Sequence, residues 1–290
     1  GNIVAVTSII AVVSLVQGLN ASVADAITSQ VGADQFAVVR TPPTFTDEEQ
    51  QRVQSNPRVT LDDAAAIRRL APHVQLVMAR AQSSAEAKTQ VEKLDSLQIR
   101  GVTKEWLQLP DTNVEQGRAI LPSEFENRRP VTVLGYGAAD RLFGALDPID
   151  KIVQFNGIPF RVVGVAEKQG SIFGQSQDEW AVIPLGVYQR MFNWRQSLTL
   201  VVRPKDTAEV QLAKDDVTVA LRIQRRLRPA ARDNFGVISS DTFLGIYNQA
   251  TSGIFAILIG VVALSLVVGG IVIMNIMLMV VSERTREIGL

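Results

Sequence analysis

Cysteine is absent from this sequence, histidine occurs once, and neither sign of charge is in excess. The 29 basic residues are balanced by 29 acidic ones, so the positive surface expected of a nucleic-acid-binding protein is missing. Without cysteine, the chain cannot contain a disulfide, a thiolate metal site or a cysteine nucleophile. His73 has no acidic residue and no second histidine beside it in the sequence, and we interpret it as an ordinary surface or strand-edge residue.

Charge of either sign is also missing from a long apolar stretch near the carboxyl end. No residue from Thr251 to Ser282 is charged, and residues 254–281 are almost entirely aliphatic residues, Met, Phe and Gly. As a helix, this stretch would extend about 40 Å, enough to cross a hydrocarbon core of about 30 Å. A buried core helix rarely needs so many consecutive uncharged residues. We therefore predict a stalk and a transmembrane helix in residues 241–282.

The amino end carries a second uncharged stretch. Residues 1–24 contain no charged side chain, but Gln17 and Asn20 make the later half too polar for lipid. A secretory signal peptide would begin with basic residues, and none is present. We predict that residues 1–32 are the outer part of a first transmembrane helix and its stalk, which Gly32 can terminate. We also expect the 290 residues to be a segment of a longer chain.

Basic residues are missing from one side of both predicted spans. No Lys or Arg occurs before Arg40 or between Arg232 and Arg284, whereas Arg284 and Arg286 follow the second span directly. Cytoplasmic loops carry an excess of Lys and Arg, so the residues between the spans are predicted to lie outside the cytoplasm. Residues 283–290 are predicted to lie inside it.

The residues between the spans are predicted to form an α+β domain. Residues 33–104 and 196–240 combine strand patterns with amphipathic helices, as in Thr60–Leu70, where Thr60 is a good N-cap. Residues 105–195 contain short β-rich runs, and Asn156-Gly157 between two of them is a hairpin signal. We predict an α/β porter-like lobe, built from the two outer segments, with a mainly-β lobe of residues 105–195 inserted into it.

None of the candidate motifs for catalysis or ligand binding indicates a functional site. Gly135-Tyr136-Gly137 lacks the third glycine of a dinucleotide site. The arginines at 222, 225, 226 and 228 end a helix that begins with acidic residues, which favours compensation of the helix dipole and solvation over an anion site. We find no catalytic constellation, cofactor site or metal site, and predict that this segment is not an enzyme.

The second span has features of a mechanical element. Asp241 can cap a helix, and the apolar pattern continues without proline to Val281, which predicts one helix of about 60 Å. Small residues recur on it at helical spacing, and one amide lies deep in the apolar run. We predict that this face packs against another helix. Its members are Gly253, Ala256, Gly260, Ala263, Gly270 and Asn275.

Five sequence stretches carry a resemblance to a known family. They are "IRGVTKEW" (99–106), "VTVLGYGAADRLFG" (131–144), "FNGIPFRVVGV" (155–165), "SIFGQSQDEWAVIPLGVYQRMF" (171–192) and "MNIMLMVVSERTREIGL" (274–290). Together they resemble the permease portion of MacB/FtsX-like ABC transporters, with a MacB-type periplasmic core domain between transmembrane helices. The last stretch is the most specific, because these permeases place an E-R-x-R-E-I-G element at this position.

The resemblance implies a function and a set of partners. Residues 283–290 would begin a coupling helix that docks on a cytoplasmic ABC ATPase, through Glu283, Arg284, Arg286, Glu287, Ile288 and Gly289. ATP and Mg would be bound by that ATPase and not by this segment. A second permease copy, in a homodimer or heterodimer, and the lipid bilayer would be further partners, and a periplasmic adaptor is compatible with the resemblance. The protein would be a multi-pass inner-membrane protein of the mechanotransmission class, which couples cytoplasmic ATP hydrolysis to movement of the extracytoplasmic domain for export or extraction of a substrate.

Two other functional classes share parts of this organisation. The extracytoplasmic sensor domain of a two-span membrane receptor would also show a span, an α/β domain and a span, but heptads and a signalling module would follow residue 290. A secreted enzyme with membrane anchors would need a catalytic group, which we do not find.

Overall fold

The computed structural model describes residues 35–44, 46–109, 113–172, 175–192 and 195–288. Ala33–Ser239 form one compact unit, called the α/β unit below. The long carboxyl-terminal helix belongs to a second unit. The predicted first transmembrane helix lies outside the described residues.

The α/β unit contains twelve described strands and six α-helices. The strands are β1 (Phe36–Val39), β2 (Val74–Lys88), β3 (Lys93–Val102), β4 (Val114–Gly117), β5 (Val131–Leu134), β6 (Ile152–Phe155), β7 (Ile158–Ala166), β8 (Ser171–Ile172), β9 (Gln175–Ser176), β10 (Trp180–Pro184), β11 (Thr199–Pro204) and β12 (Gly236–Ser239). The helices are α1 (Asp47–Gln54), α2 (Leu61–Leu70), α3 (Pro122–Glu126), α4 (Tyr136–Phe143), α5 (Leu185–Met191) and α6 (Val210–Gln224). Short 3₁₀ helices lie at Lys104–Gln108 and Thr207–Glu209, and α7 (Ser240–Ile288) follows β12.

One mixed sheet of ten strands organises the unit. Its order is β12-β1-β11-β2-β3-β10-β5-β7-β4, and β6 pairs with both β2 and β7. These pairings form a closed circuit, in which β2, β3, β10, β5, β7 and β6 each pair with the next and β6 returns to β2. β8 and β9 form a separate two-stranded sheet.

The mixed α/β character is as predicted, but the partition into two lobes is corrected. A single sheet passes through residues 33–104, 105–195 and 196–240, so the middle segment has no main sheet of its own. The physical reason is the length of β2, which has 15 residues. Its first half pairs with β11, while its second half pairs with β3 and β6. The middle segment also contributes three α-helices, so it is not mainly β.

Local sequence signals account for several element ends. The Thr60 side chain accepts a hydrogen bond from the Asp63 backbone N–H, and the Asp63 carboxylate accepts one from Thr60, which forms a capping box at the start of α2. Between β6 and β7, Asn156 and Gly157 both have positive φ, at 47° and 81°. Asn and Gly tolerate this region, and the predicted hairpin turn is therefore confirmed.

The sheet separates two hydrophobic cores. Alternate residues of β2 contribute to each, with Val77 and Ala79 in the larger core and Leu76 and Met78 in the smaller one. The larger core joins residues from all three predicted segments, among them Phe36, Leu97, Val162 and Leu200. This shared packing is a second reason why the unit does not divide at residues 104 and 195.

Candidate functional site

The two ends of the α/β unit meet in one strand pair at the edge of the sheet. β1 and β12 are the first and last strands, and they pair antiparallel with Phe36 opposite Ser239. Phe36 is fully buried, and Ser239 is 4% exposed. Helix α7 begins at Ser240, the next residue, so it starts from a strand end that the sheet holds in place.

Helix α6 is bonded to this strand end. Lys214 Nζ donates a hydrogen bond to Ser239 Oγ at 2.9 Å. The same helix contributes Ala213, Val217 and Leu221 to the larger core, where all three are fully buried. Helix α6 therefore contacts the last residue before α7 while it is itself anchored in the core.

A buried ion pair joins α6 to α2. Arg225 Nη2 lies 2.8 Å from Asp63 Oδ2, Arg225 Nε lies 3.2 Å from Asp63 Oδ1, and the two side chains are 8% and 6% exposed. Arg225 also donates to the carbonyl of Asn234 at 2.9 Å. The interpretation of this arginine as a solvated helix end is therefore wrong. A two-point bond of this kind fixes the relative position of two helices as well as neutralising the charges.

The only histidine also has a partner on α6. His73 Nδ1 lies 2.7 Å from Asp216 Oδ2, and the same oxygen accepts the backbone N–H of His73 at 3.1 Å. His73 has no acidic neighbour in the sequence, but in the fold it lies beside Asp216, which is distant in the chain. This contact attaches the segment before β2 to the solvent side of α6, since the two side chains are 36% and 23% exposed.

A second arginine–carboxylate pair stabilises the turn around α3. Arg118 donates to both oxygens of Glu124, each at 2.8 Å, and the backbone N–H of Leu121 donates to the same carboxylate. These hydrogen bonds, that from Arg118 first, lower the pKa of Glu124 below its ordinary value, although burial opposes the shift. The same pair raises the pKa of Arg118, and the turn is therefore held by an ionised carboxylate.

Gly135, the residue before α4, allows close packing against the chain's own backbone. A Cβ at Gly135 would lie 2.3 Å from the carbonyl oxygen of Asp178, and the Ala138 N–H donates to that oxygen at 3.1 Å. The start of α4 is therefore occupied by the chain's own backbone, which argues against a phosphate site. Within the described ranges, no group of three or more His, Asp or Glu residues is placed to hold a metal ion.

Helix α7 is long enough to extend well beyond a membrane. Its 49 residues correspond to about 74 Å. Within it, the 24 residues Ile259–Ser282 are apolar and long enough to cross a bilayer, and none of their described side chains is buried. Ile259, Leu264 and Met279 are each 66% exposed. So much apolar surface requires lipid or other helices to cover it. The predicted uninterrupted helix over 241–281 is confirmed.

The predicted packing face of α7 is open in the single chain. Gly253, Gly260, Ala263, Gly270 and Asn275 are exposed, and added Cβ atoms at the three glycines would meet nothing. Ala256 lies on the same helix, but its side chain is outside the described part. Among the described residues, the Asn275 amide has no hydrogen-bond partner. The face is therefore free to receive a second helix, and its role stays a prediction.

The predicted coupling residues continue the same helix. Glu283, Arg284, Arg286, Glu287 and Ile288 are its last turns, so the span and the coupling segment are one helix. Their side chains are not described, and Gly289 lies outside the described residues.

The sequence is similar to a family defined by its periplasmic domain. The model of that family, described as MacB-like periplasmic core domain, matches residues 1–220. A protein named macrolide export ATP-binding/permease protein MacB from Bdellovibrio bacteriovorus is 31% identical over 237 residues, which cover 80% of this chain and 36% of that protein. A protein of the same name from Mannheimia succiniciproducens is 28% identical over 291 residues, which cover 100% of this chain and 43% of that protein. The chain therefore spans less than half the length of these relatives.

Two solved structures share the fold. The periplasmic region of MacB from Actinobacillus actinomycetemcomitans superposes with a TM-score of 0.62 at 18% identity, covering 76% of this chain and 95% of that structure. The extracellular domain of the noncanonic ABC-type transporter YknZ from Gram-positive bacteria gives a TM-score of 0.57 at 19% identity, covering 71% of this chain and all of that domain. At these identities the likeness concerns the fold.

Proposed function

The chain belongs to the family of MacB-like periplasmic core domains, and from this we propose that it is the permease segment of an ABC transporter that works by mechanotransmission. ATP hydrolysis in a cytoplasmic partner moves the α/β unit, which acts on a substrate outside the cytoplasm. Relatives of this chain are named for macrolide export, so a macrolide is the first substrate to test.

The continuity of α7 supports this proposal most directly. One helix runs from the last strand of the α/β unit to Ile288, through a stretch that can cross a membrane. A continuous helix transmits displacement, whereas a flexible hinge would absorb it. No residue from Thr251 to Ser282 is charged, and an apolar span without ionisable groups offers little to line a path for a polar substrate.

We assign one proposed partner to each end of this helix and one to its membrane-spanning part. At the carboxyl end, Glu283 to Gly289 would begin the coupling helix and dock on an ABC ATPase that binds ATP and Mg. A second permease copy would pack on the small-residue face that includes Gly260 and Gly270. The α/β unit would lie outside the cytoplasm, where a periplasmic adaptor could reach it, and the protein would be a multi-pass protein of the inner membrane.

An insertion in the stalk tests the mechanism in the complete transporter. A Gly-rich insertion of about seven residues, two helical turns, between Asn248 and Gly253 should leave ATP hydrolysis intact and abolish export. A helix-forming insertion of the same length is the matched control, and it should retain part of the export, because stiffness is preserved while the register turns only slightly. Export at the wild-type rate with the Gly-rich insertion, in an assembled complex, would show that α7 does not transmit the motion.

A further inference from the structure

Helix α6 carries an apolar stripe on its solvent side. Leu212, Val219 and Ile223 are 51%, 55% and 58% exposed, and their spacing of seven and four places them on one face of the helix. The opposite face, with Ala213, Val217, Ala220 and Leu221, is buried in the α/β unit. Such a row at coiled-coil spacing is typical of a helix that packs against another helix.

The charges beside the stripe are separated along the helix. Asp215 and Asp216 lie in the first half of α6, and the arginines at 222, 225, 226 and 228 lie at its end or just after it. Asp215 and Arg226 are exposed; Asp215 borders the stripe on the helix, and Arg226 follows the end of the helix. Among the described residues, Arg226 makes no ion pair or hydrogen bond through its side chain.

This separation makes the face complementary to itself in one direction only. A second α6 laid antiparallel would bring its Arg226 towards Asp215 of the first copy and would also oppose the two helix dipoles. A parallel arrangement would place Asp215 near its own copy and Arg226 near its own copy, and like charges repel. An antiparallel contact between identical faces corresponds to a two-fold axis perpendicular to α6.

We propose that the α6 faces of two copies of this chain pack antiparallel around Val219. The contact is small, because one helix of 15 residues cannot supply the roughly 800 Å² per partner of a stable interface. It therefore forms between α/β units already held together elsewhere, and this inference rests on the second permease copy of the proposed function. Lys214 of the same helix donates a hydrogen bond to Ser239, the residue before α7. The proposed contact therefore involves the helix that is bonded to the residue before α7.

Cysteine cross-linking tests the contact, because these 290 residues contribute no native cysteine and any cysteine elsewhere in the complete protein is first replaced by serine. Leu212→Cys and Ile223→Cys copies, carrying different tags, are expressed together in the complete protein and treated with a short bismaleimide, with and without ATP. The antiparallel arrangement predicts that the mixed 212–223 product exceeds both same-site products by about tenfold in at least one nucleotide state. Gln211→Cys with Gln224→Cys is the matched control, since both are exposed on α6 but lie off the stripe, and it should give little product.

Charge exchange provides a second measurement. Asp215→Arg or Arg226→Asp alone should lower the mixed product several-fold, and the double exchange should restore it. Dominant same-site products would show a parallel contact and overturn the proposal. If differently tagged copies co-purify but none of these pairs cross-links, the α6 contact is wrong while the proposed function stands. If the copies do not co-purify, the second copy of the proposed function fails as well.

Discussion

Phe36 and Ser239 lie opposite each other in the antiparallel pair of β1 and β12, so the chain enters and leaves the α/β unit at one place. A force applied by the flanking segments would reach the unit at a single edge of the sheet. Lys214 and the buried pair of Arg225 with Asp63 connect this edge to α6 and α2, which are anchored in the core. The edge of the sheet at which the two chain ends lie is therefore attached to the core of the unit.

Orientation across the membrane is the first prediction. Ser84→Cys and Gln169→Cys are exposed positions of the α/β unit and should react with a membrane-impermeant thiol reagent in intact cells. Thr285→Cys, on the predicted cytoplasmic side, should react only after lysis. The reverse pattern would place the α/β unit in the cytoplasm and contradict the topology.

Coupling to the ATPase is the second prediction. Reversing both charges in Arg284→Glu/Arg286→Glu should reduce ATPase co-purification and substrate-stimulated ATP hydrolysis by about tenfold or more, because a buried ionic contact would be replaced by repulsion. Arg232→Glu, an exposed arginine of the α/β unit, is the control and should behave like the wild type. Normal association and stimulation in the double variant would exclude these arginines from the contact.

The Arg225–Asp63 pair gives a prediction for stability. Arg225→Met leaves the Asp63 carboxylate buried without its cation, and should destabilise the α/β unit by about 3 kcal/mol. Arg228→Met, at an exposed position nearby, should change the stability by less than about 0.5 kcal/mol. Thermal or denaturant unfolding of the purified protein in detergent measures both. Equal, small effects would mean that the pair is not buried as described.

Glu124 gives a prediction for pH dependence. Its pKa is lowered in the folded state, chiefly by the hydrogen bond from Arg118, so its contribution is complete above the unfolded pKa of about 4.3 and is lost as pH falls through the folded pKa. At neutral pH, Glu124→Gln should cost about 1 kcal/mol, a modest value because the Arg118 side chain is 41% exposed.

The difference between Glu124→Gln and the wild type should shrink when unfolding is measured at successively lower pH below about 4.3. Glu126→Gln serves as the control, because Glu126 pairs with Lys104 at a largely exposed site and should show little effect at any pH. A difference that grows on acidification would have the opposite sign to the one expected from a lowered pKa.

Local patterns were sufficient to predict many elements of this fold. Short strands form within the predicted β-rich region, as β5 and β6 do, and the Thr60 cap and the Asn156-Gly157 turn form as the residue types require. Helix α7 was predictable because its signal, an unbroken apolar run without proline, is long. Helix α4 was not, because it has only eight residues and contains a glycine in its first turn.

The long-range contacts that determine the architecture could not be predicted from local sequence patterns. β2 continues past Ala81 through Gln82, Ser83 and Ser84, polar residues that suggest a loop, because these residues pair with β3. Ser83 also accepts a hydrogen bond from the Tyr188 hydroxyl at 2.7 Å. Asp63 and Arg225 are 162 positions apart, and each is indistinguishable in sequence from a solvated helix end. The coupling and packing residues of α7 depend on partners outside the single chain, so their roles remain predictions.

The pairing of β1 with β12 also determines when this edge of the sheet can fold during synthesis. A ribosome releases β1 long before β11, which is the first of its two neighbours to emerge, and β12 follows later still. Pairings between such remote segments are slow to form and leave apolar strands uncovered in the meantime. We expect the nascent chain to need protection by a chaperone until Ser239 has emerged, and maturation of the sheet edge to be the slowest step of biogenesis.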